Sequence, residues 1–165
     1  MSEQNKRISR RLIEEGFDKG NLSVVDEVCA DNYVNHDAPP GLPPAREGIK
    51  AFINMYRTAF PDLRSTIDEQ IAEGDRVVTR WSAQGTNKGN LFGMPPTGKR
   101  MNISGHVIDR IVGGKIVETW NTFDQLGLMQ QLGVIPAAAS PGAQATKPAG
   151  RPETGRSKPG AGAPV

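Results

Sequence analysis

The chain has 165 residues, 36% hydrophobic and 23% charged, with a formal net charge of +2 and one cysteine. That length suits one domain of ordinary size. A single cysteine excludes an intrachain disulfide, and no stretch reaches the roughly 18 apolar residues that a membrane-spanning helix needs.

The hydrophobic shortage is local. Residues 137–165 hold eight Ala, five Pro and five Gly, and no Leu, Ile, Phe, Tyr or Trp. Such a segment cannot bury a core, so the composition predicts a domain over residues 1–136 and a disordered tail after it. The tail carries four basic residues and one acid, so the basic isoelectric point comes from there and the rest is close to neutral. A solvated tail, with no specific nucleic-acid partner, is the expectation. The start, MSEQNKRISRR, lacks the apolar run of a signal peptide, which points to a cytoplasmic protein without a membrane anchor.

In chain order, residues 4–16 read as a helix with Ile8, Leu12 and Ile13 on one stripe. Asn21 is a cap candidate for a short second helix over 22–29 that contains Cys29, a small buried side chain by its apolar setting. Residues 31–36 read as extended. DAPPGLPPAREG then interrupts regular structure with four prolines and two glycines. Helical spacing resumes over 49–59 through Ile49, Phe52, Ile53 and Tyr56. After Pro61 the period shortens, giving strands over 63–72 and 76–84 around the turn Glu73-Gly74-Asp75. A Gly- and Pro-rich loop fills 85–100.

The stretch 101–133 organises the rest. Two apolar-rich runs, 101–112 and 115–124, flank Gly113-Gly114, a pair suited to a tight hairpin turn with φ > 0 at both positions. A short helix over 125–132 ends at Gly133. With Gly113 and Gly114 as the loop, the pairing predicts His106 opposite Asn121 on one face, with Trp120 and Asp124 on the other. A slip or bulge would exchange the faces. The order of elements is α+β: helices packed on one face of a curved antiparallel meander, with room for a pocket inside.

Most catalytic signatures are missing. The two histidines are not spaced as metal ligands, and the chain lacks HExxH, paired CxxC, GxSxG, GxGxxG and a P-loop. Acid/base chemistry in a pocket remains. His106 can exchange a proton near neutrality, and Asp109, Glu118 and Asp124 are the carboxylates near it in sequence. Ser104, Thr119 and Asn121 share its strip, which either faces solvent or lines a pocket. Asp124 is either the N-cap of the last helix or a base with a raised pKa. Trp81 and Trp120 are core residues or a stacking wall for a planar ligand. Asn35 and His36, followed by Asp37, sit where an extended piece enters a loop, as turn residues or pocket lining.

These residues carry a resemblance. YVNHDAPPG (33–41), AFPDL (59–63), EGDRVVTRWSAQGTNKGNLFGMPPTGKR (73–100) and DRIVGGKIVETWNTFDQLGLMQQLG (109–133) are similar to the SnoaL-like polyketide cyclases, or ester cyclases, of the NTF2-like superfamily. The resemblance implies a cone-shaped α+β barrel, a homodimer through the sheet, and intramolecular aldol closure of a polyketide ester without metal or organic cofactor. It implies a last-strand aspartate as base and a histidine on the preceding strand. The matches are His106 and either Asn121 or Asp124; the superfamily's common Asp after the last-strand Trp is Asn121 here. Asn87 also stands where members often have His. The expectation is a cyclase, or related proton-transfer enzyme, using Asp124, His106 and Asn121 on a small apolar carbonyl compound. Asn35, His36, Trp81 and Trp120 would line the pocket. The alternative is a ligand-binding dimer without catalysis.

Overall fold

The computed structural model describes residues 1–137. The expected tail thus lies, except for Ala137, outside the described residues. Five strands form one sheet in the order β1-β5-β4-β3-β2: β1 (Cys29–Asn35), β2 (Arg64–Glu73), β3 (Arg76–Thr86), β4 (Arg100–Val112) and β5 (Lys115–Phe123). The helices are α1 (Ser2–Arg11), α2 (Ser23–Val28), α3 (Arg46–Ala59) and α4 (Gln125–Gln131). The fold is α+β as expected, and β1 and β2 leave the sheet unclosed.

The predicted elements are present with shifted ends. The first helix differs most: after Arg11 it widens into a π-helical segment, Leu12–Asp18. Winding with i→i+5 bonds puts Leu12 and Phe17 on one face, and both, with Ile13, border the internal cavity. Gly16 lets Ile53 of α3 pack closely on this segment, because Ile53 Cδ1 stands 3.2 Å from where its Cβ would be. The second helix stops at Val28, and Cys29 opens β1 instead of closing the helix. Burial pushes the Cys29 thiol up to about 12, leaving it an inert core side chain.

α3 repeats its buried positions at helical spacing: Ile49, Ile53, Tyr56 and Ala59. Ile53 is fully buried, which contributes about 1.5–3 kcal/mol for an aliphatic side chain. The core has two clusters. One gathers Val24, Val28, Tyr33, Ile53, Val77 and Ile116, and the other gathers Tyr56, Phe60, Ala83, Met101, Ile103 and Leu128. Phe17 packs against both.

The hairpin register is corrected by one residue. Val112↔Lys115 and Ile111↔Ile116 follow the expected pairing, but a bulge then slips the ladder, giving Arg110↔Glu118, Val107↔Asn121 and His106↔Thr122. The reason is burial. An unbroken alternation from Ile116 would aim Glu118 into the apolar interior, an expensive place for a charge. The extra residue keeps Ile116 and Thr119 both inward and sends Glu118 outward, where Arg110 Nη1 donates to it at 2.8 Å. His106 therefore faces Thr122 on the outer face, and Asn121 faces Val107 on the inner one. The segment expected to be extended over 31–36 is a fifth strand, β1, and it pairs in parallel with β5 through Val34↔Glu118 and Asn35↔Thr119, so the sheet is not the purely antiparallel meander expected.

Candidate functional site

A cavity of about 120 Å³ opens between the helices and the inner sheet face. Its walls are mostly apolar and aromatic, from Phe17, Phe52, Trp81 and Phe123. Trp81 and Phe123 form one wall with ring centroids 6.3 Å apart. They sit over Gly105, where a Cβ would lie 2.6 Å from Trp81 Cζ2 and 2.7 Å from the Thr122 carbonyl oxygen. Glycine is required there by close approach rather than by backbone conformation.

Most polar groups of the cavity come from four elements, with Ser65 on β2 and Tyr56 on α3 besides. Asp109 on β4 and Thr119 and Asn121 on β5 point inward, β1 supplies Tyr33 and Asn35, and α1 supplies Ser9. Asp109 is 2% exposed and, among the described residues, is the only carboxylate in the lining. Thr119 Oγ1 donates to Asp109 Oδ1 at 2.7 Å. Burial raises the Asp109 pKa, opposed by hydrogen bonding from Thr119 and the nearby Ser9 hydroxyl. The Ser9 and Tyr33 hydroxyls are buried without a well-formed hydrogen bond among the described residues, and so is that of Tyr56, elsewhere on the lining.

The strand pairing fixes Asn35 and Asn121. His36 N donates to the Thr119 carbonyl at 2.9 Å, continuing the parallel β1–β5 ladder. One residue on, the ladder ends, and the Asp37 carboxylate accepts the Asn121 N–H at 2.8 Å. Asp37 N in turn donates to Asn35 Oδ1 at 3.1 Å, which leaves the Asn35 amide NH₂ as the free donor.

The expected site residues divide into two sets. Asn35, Asn121 and Trp81 line the cavity. His106, Trp120, His36 and Asp124 do not. His106 lies exposed on the outer sheet face, set there by the unbroken alternation of β4. Trp120 is on that face too, stacked on His36 at 4.5 Å, with the Arg76 guanidinium 5.5 Å from its ring centre. His36 Nε2 is 3.1 Å from Glu118 Oε1, and Arg110 and His36 together hold the Glu118 carboxyl below its usual range. Asp124 is the N-cap of α4: its Oδ1 accepts the Gly127 N–H at 2.8 Å. Asn87 is a loop organiser, 2% exposed, accepting from Thr97 N at 2.7 Å and donating to the Gly89 carbonyl at 2.9 Å.

Sequence reasoning missed Asp109 as the central group. The signal was its position two residues after Val107 in an alternating strand, an acid on the apolar face. Only the bulge brings Thr119 opposite it.

A curved α+β sheet wrapped around helices, holding one aromatic cavity with a buried carboxyl group, defines the NTF2-like class of small-molecule proteins. The chain belongs to the SnoaL-like polyketide cyclase family, whose model matches residues 7–132. It is 32% identical over 127 residues to the aklanonic acid methyl ester cyclase DnrD of Streptomyces peucetius, covering 75% of this chain and 87% of that protein. It is 29% identical over 119 residues to the nogalonic acid methyl ester cyclase of Streptomyces nogalater, covering 71% and 89%. Among solved structures, IdmH of Streptomyces antibioticus, a putative polyketide cyclase, aligns with TM-score 0.67 and 33% identity, over 79% of this chain and 99% of that one. TsrD of Streptomyces laurentii aligns with TM-score 0.75 and 25% identity, over 82% and 98%.

Proposed function

We propose that this SnoaL-like cyclase closes a ring in a polyketide-type ester by intramolecular aldol chemistry, with Asp109 as the proton-handling group. The observation that carries this reading is that Asp109 is the one carboxylate lining the cavity among the described residues. As a carboxylate it takes the proton from a carbon next to a carbonyl; the C–H electron pair moves into the enolate. Free amide and hydroxyl donors from Asn35, Asn121 and Tyr33 stabilise the enolate oxygen. The enolate carbon then attacks the second carbonyl, forming the new C–C bond, and the resulting alkoxide takes the proton back from Asp109. The cycle balances without a cofactor. A pKa raised by burial suits both halves, because it makes the carboxylate a stronger base and keeps the acid available.

This assignment replaces Asp124 and His106, which the fold keeps out of the cavity. The amide of Asn121 serves as a donor and not as the base. The relatives' names supply the substrate to try. Asp109→Asn, nearly isosteric, is expected to lower turnover of aklanonic acid methyl ester by about 10²–10⁴-fold while circular dichroism and ligand binding are retained. Turnover within twofold of wild type would remove Asp109 from the chemistry.

The outer sheet face supports assembly as a homodimer. Trp120 and Ile108 are only partly covered there, and Arg80 is exposed. Among the described residues no helix is long and apolar enough to cross a membrane. Light scattering is expected to give twice the 17.8 kDa chain mass; a monomer at micromolar concentration would refute the pairing.

A further inference from the structure

Strand alternation at the end of β1 puts neighbouring residues on opposite sides of the sheet: Asn35 lines the cavity, and His36 lies on the outer face. On β5 the same alternation turns Thr119 and Asn121 inward and Glu118 and Trp120 outward. The His36 side chain holds the two outward residues that flank Thr119. Its ring stacks on Trp120 with centroids 4.5 Å apart and planes 5° from parallel, and its Nε2 lies 3.1 Å from Glu118 Oε1. Its backbone N–H donates to the Thr119 carbonyl at 2.9 Å. In the next residue, the Asp37 carboxylate accepts the Asn121 N–H and the Asp37 N–H donates to the Asn35 side chain. One outer side chain is thus tied, through adjacent residues, to both inward amides and to the threonine that bonds Asp109.

The backbone pairing alone is a weak tie. β1 meets β5 through three register pairs, with an irregularity between Cys29 and Val34, and the ladder ends at His36. Strand ends with few bonds are the first to open. Charge sets how firmly His36 holds this one. The charged groups around it are Glu118 on β5, Arg110 on β4, Arg76 on β3, Asp75 in the turn before β3 and Asp37 on its own segment. Arg110 bonds Glu118 and Asp75, so Glu118 stays ionised, and Arg76 lies over the Trp120 ring. An imidazolium here makes a charge-assisted hydrogen bond to Glu118 and a cation–π contact with Trp120, whereas a neutral imidazole keeps a plain bond and the stack.

We propose that His36 is a positioning residue: in its protonated form it clamps the end of β1 onto β5 from the outer face and so fixes Asn35 and Asn121 inside the cavity. This rests on the cavity being the reaction site, while the clamp itself is independent of what enters it. His36 touches no reacting atom; it acts through Thr119, Asn121 and Asp37. Histidine is the side chain that ordinarily changes charge between about pH 5 and 8, so the clamp tightens as pH falls through that range.

Amide hydrogen exchange of the full-length protein, followed by NMR without any ligand, reads the clamp. Protection factors, which remove the intrinsic pH dependence of exchange, should be about fivefold higher at about pH 5.5 than at about pH 7.5 for the His36 and Asn121 N–H groups, with the β3–β4 ladder unchanged. His36→Gln keeps a hydrogen-bonding side chain without a titrating charge, and His36→Phe keeps the stack alone; each should bring the difference below about twofold. His106→Gln removes the other histidine and should leave the difference intact. Protection that is independent of pH in wild type, a dependence that survives in His36→Gln or His36→Phe, or one that disappears in His106→Gln would overturn the inference. Because no substrate enters the measurement, such a result would leave the cyclase reading to the Asp109→Asn assay.

Discussion

Thr119 Oγ1 donates a 2.7 Å hydrogen bond to Asp109 Oδ1 across the β4–β5 ladder, inside a carboxyl environment that is otherwise almost dry. The two residues face each other only because the bulge after Ile116 shifts the ladder by one. Removing the donor withdraws the main group favouring the charged form, so the Asp109 pKa should rise further in Thr119→Val. The acidic limb of the pH–rate profile should move to higher pH in that variant, with the rate at alkaline pH much less affected. An unmoved acidic limb would show that Asp109 does not control the rate.

The same burial makes a stability prediction. The folded-state pKa of Asp109 is raised, so the folded protein binds its proton more tightly than the unfolded chain does. Folding is therefore favoured at low pH, and that contribution is lost as pH rises from the unfolded value of about 3.9 through the folded one. Asp109→Asn removes the charge, so it should melt higher than wild type at pH 7–8. The gain should vanish near pH 4, where both proteins carry a neutral group. A lower melting temperature for Asp109→Asn at pH 8 would mean that the carboxylate is stabilised by partners beyond Thr119 and Ser9.

Asp124 and His106 should separate from the chemistry. Asn is as good an N-cap as Asp, so Asp124→Asn should leave both stability and turnover nearly unchanged, whereas Asp124→Ala should cost about 1 kcal/mol with turnover per folded molecule intact. His106→Ala, on the outer face, should leave turnover of monomeric or dimeric protein alike within about twofold. A large turnover loss in either would place a second proton-handling group in the mechanism.

The elements were legible because their signals are local: the Gly113-Gly114 turn, the helical spacing of Ile49, Ile53 and Tyr56, and the shortened period after Pro61. The site was legible only in part. Asn35, Asn121 and Trp81 point inward as single residues, but which residues face them depends on one bulge that no local propensity announces. A residue-by-residue alternation carried from Gly113 predicts His106 opposite Asn121, whereas the cost of burying Glu118 forces the slip. That cost appears only when the sheet, the helices and the parallel strand β1 are assembled together. The same slip brings Asp109 opposite Thr119 and turns Asn121 inward, away from the face that carries His106.

Gly105 offers the most local test of the cavity wall. Its Cβ position is blocked by Trp81 Cζ2 at 2.6 Å, by the Thr122 carbonyl oxygen at 2.7 Å and by Phe123 Cβ at 2.8 Å. The tryptophan ring could swing away, but the carbonyl is backbone held in the β4–β5 ladder and cannot. Gly105→Ala should therefore push β5 outward and tilt Trp81 into the cavity, at a cost of about 1–3 kcal/mol, the usual penalty for overpacking. Urea unfolding should show a lower midpoint with an unchanged slope. Because Trp81 and Phe123 form one wall, affinity for flat aromatic ligands should fall together with stability. Trp81→Phe removes only the movable obstacle, so adding Gly105→Ala to that background should cost about as much as in wild type. A distinctly smaller cost there would show that the tryptophan, and not the carbonyl, is what excludes a side chain at this position.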